Sequence, residues 1–426
     1  MAPRVVTKGP KRSLTHVGGD ITTAGDRDAA EMLACALDVA PSTEDEDRAR
    51  AHVHGFHTYP ARMHPDTASA LVKSFAPPRG RVLDPFCGSG TVLVEGMILG
   101  RDVVGTDLNP LAIMLARWKT SPPSEAESVT LLETARRAAT HADARRRQRA
   151  GATRRYPDED VAAFAPHVLL ELDSLRAFIA GLPSSEGRTR DALFLVLSSI
   201  LVKVSRKTSD TTPSGTTQRG TERAPDVPEP RIAAGYTARL LVKKTEEVTR
   251  RAAELVALLP QPRPRAIVTA DDATQLTTGT SGSIDAIITS PPYAATYDYL
   301  AQHELRLRWL GLDAHALEAG ELGARRRYQA MDPVAAERAW VAELTRFLVA
   351  ASRVVKKGAP VVLLMADSAV GNTALRADDL VDVASQGTPL VPLARATQAR
   401  PHFHRGTANA FRDAPRCEHA LLLVRS

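Results

Sequence analysis

The sequence predicts an α/β fold, a doubly wound sheet with a large helical insertion, on three observations. From His52 to Lys119 short β-like runs, glycine turns and helical runs alternate. After Ala266 the same texture resumes and completes the sheet. Between them, Ser121 to Pro260 spaces its apolar residues at three and four, the period of packed helices. The chain therefore divides into a loosely ordered N-terminal arm (1–50), a first core half (51–120), a helical insertion (121–262) and a second core half (263–426).

Each element has its own signal. The arm mixes Gly, Thr and charge around one helical stretch near Arg27 to Val39. In the insertion, Val161 to Ile179, Asp191 to Arg206 and Arg231 to Leu259 read as helices. Within it, 208–230 is rich in Ser, Thr, Pro and Gly and holds almost no large apolar residue, so it is expected to be a mobile loop. The second half supplies strands at Ala266 to Thr269, Ile284 to Thr289, Pro360 to Met365 and His419 to Val424, with helices at Leu300 to Leu310 and Val341 to Val355. No internal repeat is visible.

Composition bounds the possibilities. With 426 residues, 43% of them apolar, the chain can build a real core. A formal charge of +6, with Arg far outnumbering Lys, permits nucleic acid as a partner. Cys35, Cys87 and Cys417 stand far apart, which excludes a disulfide framework and a cysteine-rich zinc site and fits a reducing cytoplasm. No run has signal-peptide character or approaches a membrane span, so a soluble protein with no membrane partner is expected.

Two constellations carry chemistry. Arg81-Val-Leu-Asp-Pro-Phe-Cys-Gly-Ser-Gly-Thr-Val-Leu-Val-Glu95 is a strand, a glycine turn and a helix start. Gly88 and Gly90 let backbone approach a ligand, and the helix after Thr91 offers oriented N–H donors. The loop lacks the Lys of a P-loop and the Gly-x-Gly-x-x-Gly of dinucleotide binders. Asp84 beside it suits a cationic ligand such as the aminoacyl part of S-adenosylmethionine; a purely geometric glycine turn is the alternative. About 20 residues on, Asp107 ends a second strand, where an acid meets ribose hydroxyls in such sheets. Asp271 and Asp272 follow a third strand, either to accept an adenine amino group or to cap local backbone.

The second constellation is Asp285-Ala-Ile-Ile-Thr-Ser-Pro-Pro-Tyr293, a buried strand ending in a rigid turn. Its prolines lack N–H donors, so the turn presents acceptors beside an aromatic ring. Such a turn clamps a planar base by its amino group or simply ends a strand. Tyr297 and Tyr299, just beyond, line that pocket or pack.

Together, Asp84-Pro-Phe-Cys-Gly-Ser-Gly-Thr91 and Thr289-Ser-Pro-Pro-Tyr293 resemble the amino-group DNA methyltransferases that use S-adenosylmethionine. Phe56-His-Thr-Tyr-Pro-Ala-Arg-Met-His-Pro65 looks like that family's remaining cofactor element. The resemblance covers about 52–119 and 266–426 and implies a Rossmann-like class I methyltransferase sheet. It implies that Tyr59, Pro60, Asp84, Phe86, Cys87, Gly88, Ser89, Gly90, Thr91, Asp107, Leu108, Asn109, Asp271 and Asp272 hold the cofactor. Ser290, Pro291, Pro292 and Tyr293 would be catalytic. The Ser form of the motif is the one most associated with N4 of cytosine, whereas Asp or Asn is more usual for N6 of adenine; an RNA base amino group is the other alternative. Base flipping out of double-stranded DNA is implied, with a cytoplasmic bacterial setting at the nucleoid and a cognate restriction endonuclease as a possible partner.

The motif order departs from the family's usual permutations, which leaves target recognition to be placed. The insertion is the first candidate, through Arg145, Arg146, Lys203, Arg206 and Lys207 as phosphate contacts with Tyr297 nearer the turn. Ala294 to Trp309 with Arg325 to Arg327 is the second. His52, His54, His57 and His64, with His402 and His404 far along the chain, lack companions at ligand spacing; no metal is expected. Cys87 is read as a packing residue of the turn.

Overall fold

The computed structural model describes residues 19–39, 48–206, 232–401 and 405–426. The expected loop 208–230, Lys207, His402 and His404 lie outside the described residues. Among the described residues ten strands form: β1 Ile21–Gly25, β2 Arg81–Asp84, β3 Asp102–Asp107, β4 Ala266–Ala270, β5 Ala286–Thr289, β6 Pro360–Ala366, β7 Ser368–Val370, β8 Thr373–Leu375, β9 Leu390–Ala399 and β10 Cys417–Arg425. Eight of them make one sheet in the order β1-β9-β10-β6-β5-β2-β3-β4, and β7 and β8 pair separately.

The strands β4, β3, β2, β5 and β6 run parallel, while β10 is antiparallel to both β6 and β9. Parallel strands covered on both faces read as continuous apolar runs, as Ala-Ile-Ile-Thr of β5 does with all four residues buried. The pleat then splits neighbours between two cores. Leu83, Ile287 and Val361 face the helix Pro333–Val354, where Trp340 and Phe347 are buried. Val82, Ile288 and Val362 face the helices Arg27–Leu37 and Pro65–Phe75. Strand order reverses between β2 and β5, so their carboxyl ends open a crevice at a switch point.

The N-terminal arm is not loose where it is described. Strand β1 pairs antiparallel with β9 from Ile21↔Gln398 to Gly25↔Ala394 and covers what would otherwise be the sheet's open edge. Asp26 caps the next helix by accepting the Ala29 N–H at 3.0 Å, and Leu33, Ala36 and Leu37 enter the core. A five-residue strand reading Ile-Thr-Thr-Ala-Gly carries no periodicity that a sequence reading could catch.

The insertion connects β3 to β4 through helices Glu125–Arg147, Asp158–Ala163, Pro166–Ala180, Gly187–Val204 and Tyr236–Leu258. The single helix expected at Val161 to Ile179 is two. Pro166 opens the second at its first turn, and Phe164 and Ala165 are extended, as a residue before proline prefers. The last helix starts at Tyr236 rather than Arg231, after Gly235 in a left-handed conformation at φ +76°. Conversely, Pro333–Val354 starts eight residues before the expected Val341, capped by Asp332. The insertion packs on helix Tyr299–Leu310, which follows the Ser-Pro-Pro-Tyr turn. Trp309 is fully buried beside Tyr156 and Phe164, and Arg308 pairs with buried Asp160 at 2.6 Å.

Candidate functional site

At the switch point, where ligands bind in open α/β sheets, lies a concave cavity. The glycine turn, the ends of β3 and β4, the segment around Tyr59 and the Ser-Pro-Pro-Tyr turn all reach it.

The turn after β2 closes with the Gly90 N–H donating to the Cys87 carbonyl at 2.7 Å. Gly88 has φ +48°, and a Cβ there would stand 3.2 Å from the Tyr59 ring. Gly90, at φ +85°, starts the helix Thr91–Ile98, and its Cβ would meet Ala116 of the helix Pro110–Thr120 at 3.2 Å. One glycine thus clears room at the cavity wall and the other lets two helices close up. The Ser89 and Thr91 hydroxyls are buried without a hydrogen-bond partner among the described residues and line the cavity. Orphaned buried hydroxyls at a helix start are what an absent polar ligand leaves behind.

The acids fit a cationic ligand. Asp84 Oδ1 accepts from Thr289 Oγ1 at 2.6 Å and from the Phe86 N–H at 3.2 Å, and burial pushes its pKa up to about 7. Asp107 ties the site together. Its Oδ2 accepts the Gly88 N–H at 2.9 Å and its Oδ1 the Asn109 N–H at 2.8 Å. Burial raises it to about 6 despite those donors, with Glu321 adding to the rise. Asn109 donates to the Tyr59 hydroxyl at 3.3 Å, and the Tyr59 ring stacks on His303 with centroids 4.8 Å apart. Ala61, two residues on, holds φ +52°, a strained conformation for a non-glycine residue at a cavity wall.

A second cavity lies on the other side of the Ser-Pro-Pro-Tyr turn. Tyr293, Tyr297, Arg400, Arg416 and Glu418 line it, and Ser290, Ala61, Arg62 and Met63 belong to both cavities. The Tyr293 hydroxyl approaches Glu418 Oε1 at 3.5 Å, and burial, reinforced by Glu418, holds the phenol protonated. Tyr297 is 6.2 Å from Tyr293 between ring centroids, whereas Tyr299 turns to the first cavity.

Of the residues expected at the cofactor, Tyr59, Asp84, Phe86, Cys87, Gly88, Ser89, Thr91, Asp107, Leu108, Asn109 and Asp271 line the first cavity. Pro60, Gly90 and Asp272 do not. Asp272 instead caps Thr274 at 2.8 Å. Asp271 reaches the wall, but Asp272 N–H, Thr277 and Thr278 occupy its oxygens at 2.6–2.9 Å. Burial raises its pKa, yet those donors outweigh burial and hold it below the usual carboxylate range. Ser290 and Pro292 line the first cavity, Tyr293 the second, and Pro291 is buried in the turn.

The expected phosphate contacts stand apart from both cavities. Arg145 bonds Ser174 and the Gly151 carbonyl, Arg146 pairs with Asp143, and Arg206 reaches the Ala162 carbonyl. Lys203 is exposed, its pKa lowered to about 8 by partial burial and by Lys244. In the second candidate region, Arg326 is committed to Asp298 and Glu321 and Arg327 to Glu343. Sequence reasoning included Arg62 and Met63 in the cofactor element without singling them out, and it missed the wall residues Leu317, Gly320, Glu321 and Leu322. It also missed Arg400, Arg416 and Glu418, near the chain's end, which carry no motif. Ligand atoms of buried His52, His54 and Glu95 lie within 4.8 Å of one another; His54 Nε2 is 2.8 Å from Glu95, and nearby Lys119 helps burial keep both imidazoles neutral.

Residues 37–117 match the family described as DNA methylase. Over these residues the chain is similar to amino-group DNA methyltransferases. The type II methyltransferase M.MvaI of Kocuria varians is 46% identical over 72 residues, 16% of either protein. M.MjaII of Methanocaldococcus jannaschii, also a type II methyltransferase, is 33% identical over 82 residues, 19% of this chain and 16% of that protein. A tRNA (guanine(10)-N2)-dimethyltransferase of Methanothermobacter thermautotrophicus is 41% identical over 69 residues, 16% of this chain and 20% of that protein. The chain thus spans a fifth or less of the length of these relatives. The rRNA methyltransferase aviRa of Streptomyces viridochromogenes aligns over 92% of this chain and 94% of its own at 12% identity, with a TM-score of only 0.34. The matched family segment holds the glycine turn and Asp107 but ends long before Ser290.

Proposed function

We propose that the chain transfers a methyl group from S-adenosylmethionine to the exocyclic amino group of a base flipped out of double-stranded DNA, with N4 of cytosine as the target. One observation carries the reading: two cavities meet at Ser290, one walled by acids and a glycine turn, the other by two tyrosines and arginines. The residues of the first fit the donor. Asp84 and the Ser89 and Thr91 hydroxyls suit its charged aminoacyl end, and Asp107, already oriented by the Gly88 N–H, has acceptor capacity left for ribose. When bound, that donor supplies an electrophilic methyl on a sulfonium.

The chain's own residues do the rest. An aryl amine is a weak nucleophile because its lone pair is delocalised into the ring. The Ser290 hydroxyl and the Pro291 carbonyl would accept its two N–H bonds and favour the pyramidal nitrogen of the transition state. Tyr293, held protonated, offers a neutral stacking face. Alignment across the shared wall contributes through proximity. No covalent bond to the enzyme is required.

The test is to express the chain in a host free of modified bases and to identify methylated nucleosides in its DNA and RNA by mass spectrometry. N4-methylcytosine in DNA is expected, falling about 100-fold in Ser290→Ala, the scale of losing one preorganised polar contact to the transition state. The similarity to a tRNA dimethyltransferase favours RNA as the second reading, and methylated RNA alone would replace the first with it.

A further inference from the structure

The second cavity holds a side chain that the transfer chemistry leaves unused. Arg416 is 7% exposed, and its Nε donates to the Asp367 carbonyl at 3.0 Å. Its two terminal nitrogens make no hydrogen bond to any described residue. Neighbouring Arg400, by contrast, spends Nε and Nη2 on Glu418 at 3.0 and 2.9 Å, and the other oxygen of Glu418 faces Tyr293. The anchor is rigid, since Asp367 itself takes hydrogen bonds from Arg376, Ala377, Cys417 and His419 at 2.8–3.0 Å. A guanidinium mostly buried, fixed at one end and with its terminal nitrogens open to the cavity, is placed to donate to acceptors that enter it.

Resting on the transfer reading above, we infer that Arg416 is the base-specificity residue: its open fork reads the N3 and O2 acceptors of a cytosine whose amino group lies at Ser290. Beside its amino group cytosine presents two acceptors on one edge. Adenine presents one, N1, and then a carbon–hydrogen edge. A planar fork matches the first pattern bidentately and leaves a donor buried and unpaired against the second. Ser290 aligns any amino group, and Arg416 makes the difference between bases. The shared wall residues Ala61, Arg62 and Met63 carry no acceptor side chain, and the carboxylate that lines the second cavity, Glu418, is engaged by Arg400.

The experiment first locates the methylated positions in host DNA, then assays the full chain on duplexes carrying cytosine or 3-deazacytosine at the target, which lacks the N3 acceptor. Wild type should methylate cytosine about 10- to 100-fold faster, the discrimination of one bidentate pair. In Arg416→Met the ratio should fall close to one while S-adenosylhomocysteine affinity is unchanged. Arg416→Lys, which keeps the charge but not the fork and guards against a folding defect, should fall between. An unaltered ratio in both variants, or a lysine variant equal to wild type, overturns the inference and points to a phosphate contact instead. A wild-type chain that leaves no methylated amino group in host DNA or RNA overturns the transfer reading itself, a result separable from the ratio test.

Discussion

The two cavities on either side of Ser290 differ in charge and in how the chain builds them. The first faces Asp84, Asp107, Asp271 and Glu321 and is built chiefly from strand ends and the turns directly after them. The second faces Arg400 and Arg416 and draws on the N-terminal helix end, the segment after Tyr59, the Ser-Pro-Pro-Tyr turn and the last two sheet strands. Acids suit a cationic donor, and a guanidinium suits a base edge rich in acceptors. The contrast teaches that two cavities sharing a wall can offer acceptors for a cation on one side and guanidinium donors on the other.

The largest expected effect tests whether the first cavity is the donor site. In Gly88→Val a side chain would have to sit at φ +48° with its Cβ 3.2 Å from the Tyr59 ring. Affinity for S-adenosylhomocysteine, measured by titration calorimetry, should fall at least about 100-fold, since strain of about 1–3 kcal/mol adds to the lost room. Undiminished affinity would mean that the cavity is not the cofactor's.

The same contrast explains what the sequence made legible. The first cavity could be read because its parts are contiguous: Asp84 to Thr91 is one turn, and Asp107 stands one crossover away. Its rear wall could not, because Leu317 to Leu322 acquire meaning only when Gly320 packs on Leu108, where even a Cβ would come within 2.7 Å. The second cavity was half legible. Ser290 to Tyr293 announce a turn, but Glu418 and Arg400 meet only through antiparallel pairing of β9 with β10. Charge-rich segments are hard to read for a related reason: Arg145 and Arg326 stand out by composition, and only the fold shows the internal acceptors each one bonds.

A pH series gives an intermediate effect with a sign that separates the two sites. Burial raises Asp84 to about 7 and Asp107 to about 6, so both take up protons in the folded, ligand-free chain well above the unfolded carboxylate value. The folded state then binds more protons than the unfolded one between about pH 4 and 7, and these groups lower stability as pH rises through that window. A cationic ligand needs the carboxylates ionised, so its affinity should rise over the upper part of the same window. Thermal melts should show the ligand-induced shift growing from pH 5.5 to 7.5, and Asp84→Asn should flatten its upper half. A shift independent of pH would remove the acids from the donor site.

The smallest effect concerns Tyr59, on the wall of the first cavity. Tyr59 contributes a ring stacked on His303 and a hydroxyl that accepts from Asn109 at 3.3 Å. Tyr59→Phe keeps the ring and removes only that long hydrogen bond, worth about 0.5–1.5 kcal/mol. Affinity for S-adenosylhomocysteine should drop no more than about tenfold, while the cytosine to 3-deazacytosine ratio stays at the wild-type value. A change in that ratio would mean that Tyr59 also orders the segment Ala61 to Met63 against the base, and the wall between the sites would then transmit as well as separate.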